Sequence, residues 1–241
     1  MTNMNHRSPT TVVGPFERFA AAILPAGVAP NVRARFQSLA RHVVADAGGA
    51  PLEHQKQDQI VFVASGATKL VARASRGREQ IVAFHFAGDL VSLPARGRHS
   101  YSLVALQRSE FLSFCATDFL ASAQDASGIT NEILRRSLVS LSRCREKSIT
   151  LGRKTAQERL ASFLATMADR IGVSQDGGCV LDLPMSRRDI ADSLGLTIET
   201  VSRQFTILRD LTLVETSGRS TVTLTDIPAL EDRAGHLPVA A

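Results

Sequence analysis

Cysteine is scarce in this chain of 241 residues, and the three present, Cys115, Cys144 and Cys179, stand far apart and odd in number. No Cys-x-x-Cys pair or metal-ligand spacing joins them, which argues against a disulfide framework and leaves no metal site to assign. That usage fits the reducing cytoplasm. Long apolar runs are also missing: nothing approaches the ~18 residues that span a membrane, so no membrane association is expected. The stretch from Ala20 to Ala29 imitates an export signal, but Pro25 and Pro30 interrupt it and the acidic Glu17 precedes it. No nucleophile with its base and no carboxylate pair is evident, and Ser, His and Asp are merely scattered. An enzyme with an accessory DNA-binding domain is therefore the weaker reading, and no catalytic residue is assigned.

What is present suits a two-domain globular protein. The length exceeds one average domain, and 44% hydrophobic with 21% charged residues argues against wholesale disorder. The formal net charge of +5 fits a polyanionic partner without requiring one. Its distribution says more. Between Glu132 and Lys154 lie Arg135, Arg136, Arg143, Arg145, Lys147 and Arg153, whereas Thr155 to Asp226 holds more acids than bases. A DNA-binding role for the second region must rest on particular residues.

Residues 1–15 read as a loose polar tail. The spacing of Val32, Phe36, Leu39 and Val43 predicts a helix from Asn31 to Ala45, ended by Gly48-Gly49. Turn signals then recur at Ser65-Gly66, Gly77, Gly88 and Gly97, separated by short runs such as Ile60–Val63, Lys69–Arg73 and Gln80–Phe86. Evenly spaced short strands imply a small antiparallel barrel or roll over residues 16–127. From about Asp118 the pattern turns helical and stays so to Gly152. Leu134, Leu138, Leu141, Cys144/Arg145, Ser148 and Leu151 mark one narrow stripe there, which suits a two-helix dimer seam over residues 128–153. Cys144 reads as a small packing residue at that seam; the alternative is a helix lying against its own barrel. A capping box, Thr155 with Glu158, opens the next helix and a third region, 154–227, with a tail over 228–241.

The informative segment is Arg187 to Thr206. Ser186 and Asp189 form a variant capping box for a helix that turns Ile190 and Leu194 inward, with the small Ala191 where a second helix crosses. Gly195 supplies the left-handed position that ends it, and Thr197 caps a second helix buried through Val201, Leu208 and Phe205. That is a helix-turn-helix. Its second helix leaves Glu199, Ser202, Arg203 and Thr206 on one polar face. Arginine can donate twice to guanine and a carboxylate can accept from cytosine. Glu199 and Arg203, one turn apart, could alternatively be an ordinary surface ion pair; the helix-Gly-helix frame favours base reading. Beyond it, Leu213–Glu215 and Thr221–Thr225 make a hairpin with Gly218 and Arg219 at its tip, a wing suited to phosphate. Ser186, Arg187 and Thr197, at helix N-termini, complete a backbone clamp.

The roll containing AGDLVSLPA, the long helix, LGRKTAQERLASFL and LPMSRRDIADSLGLTIETVSR together resemble a CRP/FNR-type regulator, closest to the FixK-like branch. The resemblance implies an α+β fold: an N-terminal antiparallel β-roll like a cyclic-nucleotide-binding domain, a long dimerisation helix and a C-terminal winged helix-turn-helix. It implies a homodimeric activator on double-stranded DNA that also contacts RNA polymerase. Glu199, Ser202 and Arg203 match the family's Glu-x-x-Ser-Arg readers of TTGAT-type half-sites. Gln204 stands where the family usually has an apolar residue.

The resemblance also shows what is missing. Where the family's cyclic-AMP site has Gly-Glu and Arg-Ser or Arg-Thr, this chain has Ser92-Leu93 and His99-Ser100, which leaves a buried phosphate unpaired. Residues 1–40 hold no cysteine, so the iron–sulfur sensor of the FNR branch is not expected either. No cofactor is assigned. Activity set by abundance leads, with haem, redox or small-molecule gating as the alternative. For redox gating the candidate is Cys179, whose place after Gly177-Gly178 allows exposure although no neighbouring base clearly lowers its pKa, while His85 and His99 lack a second ligand at a recognisable spacing.

Overall fold

A computed structural model describes residues 13–53, 55–73, 79–95, 97, 99–175 and 178–235. The turn expected at Gly77, the residues Asp176-Gly177, the first part of the N-terminal tail and the last residues of the C-terminal one lie outside them.

Two short helices come first, α1 (Pro15–Ile23) and α2 (Pro30–Leu39), each opened by a proline at its start, where the missing N–H costs no hydrogen bond. The helix expected to run to Ala45 stops at Leu39. Arg41–Ala45 is instead strand β1. Val43 continues the helical spacing from Leu39, but with Ala45 it also fits strand alternation around the exposed Val44, and β1 is held in register by the strand Ser109–Cys115, from Arg41↔Ser113 to Ala45↔Ser109. Tertiary pairing overrides the local helical reading.

The roll follows, built from β2 (Gln59–Ser65), β3 (Ala67–Arg73), β4 (Glu79–Phe86), β5 (Leu90–Leu93), β6 (Ser100–Ala105) and β7 (Ser109–Cys115). All pairings are antiparallel: one sheet runs β1-β7-β2-β5, the other β4-β3-β6. At the β2–β3 turn Gly66 has φ +88°, and a Cβ there would meet Ser109 Oγ at 2.2 Å, so only glycine fits.

Helices α1 and α2 cover one face of the roll. Phe19, Phe36, Phe62, Phe114 and Phe119 form one buried cluster with ring centroids 5.0 to 6.5 Å apart. Burying each such ring contributes ~2–3 kcal/mol. The cluster also explains a break in the helical stretch. α3 (Ala116–Gln124) ends before Ala126, which is extended, and α4 (Ser127–Arg153) begins anew. Phe119 and Ile129 both enter this core. In one unbroken helix, residues ten apart point roughly 80° away from each other.

After α4 come α5 (Ala156–Ile171), β8 (Val173–Gln175), β9 (Gly178–Asp182), α6 (Arg187–Leu194), α7 (Ile198–Asp210), β10 (Val214–Ser217), β11 (Thr221–Leu224) and α8 (Ile227–Arg233). The strands form a sheet ordered β10-β11-β9-β8. Where a tail was expected from residue 228, α8 is capped by Asp226, buries Leu230 completely and packs on α5. The roll and this second unit share a core: Ala67, Val71, Ile81, Phe84 and Phe86 join Leu160, Leu164, Ile190, Leu194, Val201 and Leu208. Among the described residues no helix is long and apolar enough to cross a membrane.

Candidate nucleic-acid interface

The site is assembled by helix capping. Ser186 Oγ accepts from the Asp189 N–H at 3.1 Å, and Asp189 Oδ2 accepts from the Ser186 N–H at 2.9 Å, closing the capping box of α6. Gly195 ends that helix in the left-handed region, φ 63° and ψ 40°. Thr197 Oγ1 then accepts from the Thr200 N–H at 3.2 Å and starts α7. Ile190, Ala191 and Leu194 from α6 face Val201, Phe205 and Leu208 from α7 in one buried cluster.

With that side of α7 buried, Glu199, Ser202, Arg203 and Thr206 are all exposed on the other. The Glu199 carboxylate lies beside its own backbone N–H, the Thr197 hydroxyl and the charge of Arg188, which hold it below the usual carboxylate range. The alternative of a surface ion pair names Arg203 as the partner of Glu199. Arg188, exposed on the first turn of α6, was not singled out in the sequence; only folding brings it to the reading helix.

Ser186, Thr197 and Arg219 are exposed at the ends of these elements. Arg219 follows Gly218 at the tip of the β10–β11 hairpin, whose register runs from Val214↔Leu224 to Ser217↔Thr221. Arg187 differs. It is half-buried, its guanidinium carbon lies 3.3 Å from the Phe205 ring centroid, and its Nη1 is buried without a partner. Loss of solvent pushes its pKa down to about 10. Gln204 has its Oε1 buried and unpartnered, so the departure noted in the sequence leaves an unmet acceptor.

Cys179 is corrected by the structure. The sequence allows it an exposed place after Gly177-Gly178, but it sits in β9 opposite Leu224, 5% accessible, in the core. Burial raises its thiol pKa, which keeps the unreactive protonated form. On α4, by contrast, Leu134, Leu138 and Leu141 are 57%, 58% and 46% exposed in the single chain. Cys144 and Ser148 are exposed with them.

Known proteins share this arrangement. The family profile of the Crp-like helix-turn-helix domain matches residues 158–233, and that of the cyclic nucleotide-binding domain matches residues 52–125. The nitrogen fixation regulation protein FixK of Rhizobium meliloti is 35% identical over 173 residues, covering 72% of this chain and 77% of its own. The chain belongs to the CRP/FNR family, in its FixK-like branch. The transcriptional activator protein FnrL of Cereibacter sphaeroides, 33% identical over 184 residues, spans 75% of this chain and 74% of its own. The structure of FixK2 from Bradyrhizobium japonicum superposes with a TM-score of 0.72 at 28% identity, over 84% of this chain and 99% of that one. Membership of the CRP/FNR family makes α6 and α7 the DNA-binding helix-turn-helix of a transcription regulator. It makes the two roll sheets a cyclic-nucleotide-binding-like domain.

In the roll of this CRP/FNR protein, Ser92 is exposed on β5 and Leu93 is buried, while His99 and Ser100 are exposed.

Proposed function

We propose that this chain is a cytoplasmic homodimeric transcription activator that reads inverted repeats of a TTGAT-type half-site without cyclic AMP or an iron–sulfur cluster. The observation that carries the reading is the face of α7: three side chains able to address base edges, exposed together on a helix whose opposite side is buried. Arg203 donates to a guanine, Glu199 accepts from a cytosine, and Ser202 contacts the base between them. Ser186, Thr197 and Arg219, with Arg187 and the neighbouring Arg188, hold phosphates and fix the register.

The exposed stripe Leu134, Leu138 and Leu141, flanked by Cys144 and Ser148, pairs with its copy along the two-fold axis. Leu93 in the roll's core and the exposed His99 offer no pair for a ribose or a cyclic phosphate, which supports control by abundance. The name of FnrL supports the assignment as an activator, hence a contact with RNA polymerase. A second reading, gating by a small molecule, is favoured by a cavity of about 1070 Å³ between β4, α4 and α5, lined by His85, Arg143 and Arg170 among others.

Selecting bound sequences from a random DNA pool, with and without cyclic AMP and oxidant, tests the proposal. The expected result is an inverted TTGAT-type repeat enriched equally in every condition. Enrichment that needs cyclic AMP, or no common motif, contradicts it.

A further inference from the structure

The helix-turn-helix is tied to the rest of the chain by polar contacts at both ends of α6. At its N-terminus Asp189 uses its two oxygens differently. Oδ2 closes the capping box with Ser186, and Oδ1 accepts from Lys69 Nζ at 2.6 Å. Lys69 belongs to β3, the central strand of the three-stranded sheet, where it is paired with Phe84 on one side and Val104 on the other. Both partners are largely shielded, with side chains 25% and 12% exposed. At the C-terminus of α6, where helix carbonyls lack intrahelical partners, Gln80 Nε2 donates to Asp192 O at 2.6 Å and Arg159 Nη1 donates to Leu194 O at 3.0 Å. Lys147 of α4 spans the junction, its ammonium donating to Ile81 O, Val82 O and Ser193 Oγ at 2.8, 2.8 and 3.1 Å.

These ties hold an eight-residue helix from two directions, and that helix packs directly on α7. Capping alone requires only Ser186 and Asp189. Lys69 adds nothing to the cap, whose bonds use the other oxygen. What it adds is a fixed relation between the roll and the start of the reading unit. In a two-fold dimer, two α7 helices must enter successive major grooves about 34 Å apart. Any tilt of α6 on the roll changes that separation twice, once per protomer.

We propose that Lys69 is a positioning residue for DNA reading: through Asp189 it locks the helix-turn-helix onto the β3–β4 hairpin and so sets the half-site spacing the dimer accepts. The inference rests on the dimeric reading above. It gives that reading a physical basis for binding without an effector, because the roll holds the DNA-binding unit by its own side chains.

The test uses the full-length protein with Lys69→Met, Asp189→Asn and the double variant. Asparagine keeps an oxygen for the Ser186 N–H but removes the charge. Affinities are measured for operators whose half-site centres differ by one and two base pairs, and for DNA with one half-site. Wild type should prefer one spacing. Lys69→Met should lose about tenfold of that preference while single-half-site affinity stays within about twofold, and the double variant should lose no more than either single one. An unchanged spacing profile in Lys69→Met, or an equal loss on the single half-site, overturns the positioning role and leaves the dimeric reading standing. A wild-type protein indifferent to spacing overturns that reading, and the lock with it.

Discussion

The guanidinium of Arg187, in the first turn of α6, lies 3.3 Å from the centroid of the Phe205 ring on α7. The two helices of the reading unit are therefore joined by a cation on an aromatic face as well as by Ile190, Leu194, Val201 and Leu208. A desolvated contact of this kind contributes roughly 2 kcal/mol. It also draws Arg187 partly away from solvent, so that its place in the phosphate clamp can be measured separately from its structural one.

Replacing Arg187 by Ala should lower stability by about 2 kcal/mol, because the stem packing and the cation are both lost. Lysine should recover only part of this, having no planar face to stack. Urea unfolding reads the change as a shift in midpoint at constant slope. If Arg187 also meets a phosphate, Arg187→Met should lower the salt slope of DNA binding by about one unit. A full-strength slope in that variant removes it from the clamp.

The exposed stripe of α4 is the proposed seam, and Leu138, 58% exposed in the single chain, lies in the middle of it. Leu138→Glu places two unpaired carboxylates at the two-fold axis, which costs several kcal/mol. The wild type should sediment as a dimer and the variant as a monomer with weakened operator binding. A dimeric variant would move the seam elsewhere.

His85 links acidity to folding. Burial, first, and then the charges of Arg170 and Arg143 push its imidazole down to about 4 against an opposing pull from Asp89, and its Nδ1 is buried without a partner. Between pH 6.5 and 4 the unfolded chain binds a proton that the folded one refuses, so stability falls as pH falls across that window. The loss attributable to this group is up to about 3 kcal/mol. Between pH 7 and 4.5 the unfolding free energy of wild type should fall relative to that of His85→Leu, by up to about 3 kcal/mol. Parallel curves would show that His85 protonates freely in the folded state.

The reading unit was legible in the sequence because its signals are local. The Ser186–Asp189 box, Gly195 at φ 63° and the Thr197 cap each act within four residues, and the structure contains all three. The roll was legible from the spacing of its turns. What was missed depends on partners far along the chain. Arg41–Ala45 reads as helix because its pairing with β7 cannot be seen from those residues alone. α8 reads as tail because its anchors, Leu230 and Ala234, bury themselves against the distant α5. Cys179 follows a glycine pair that suggests an exposed turn, yet strand register places it opposite Leu224 in the core. Lys69 and Asp189 are 120 residues apart, and nothing near either one announces the other.

The central claim is that α7 reads bases, and the direct measurement is a titration of Arg203→Ala, Glu199→Ala and Arg219→Ala against operators altered at single positions. Arg203, exposed on α7, should lose ~1–3 kcal/mol on replacement and with it the discrimination at one base pair. Glu199→Ala should relax the preference at the neighbouring pair and leave non-specific affinity level or slightly higher. Arg219→Ala, at the wing tip, should weaken binding to every sequence alike and reduce the salt slope by about one unit. In all three proteins the half-sites should remain inverted, with centres about 10–10.5 base pairs apart. If Arg203→Ala instead weakens every DNA equally and keeps its base preference, α7 is not the reader and the account is contradicted.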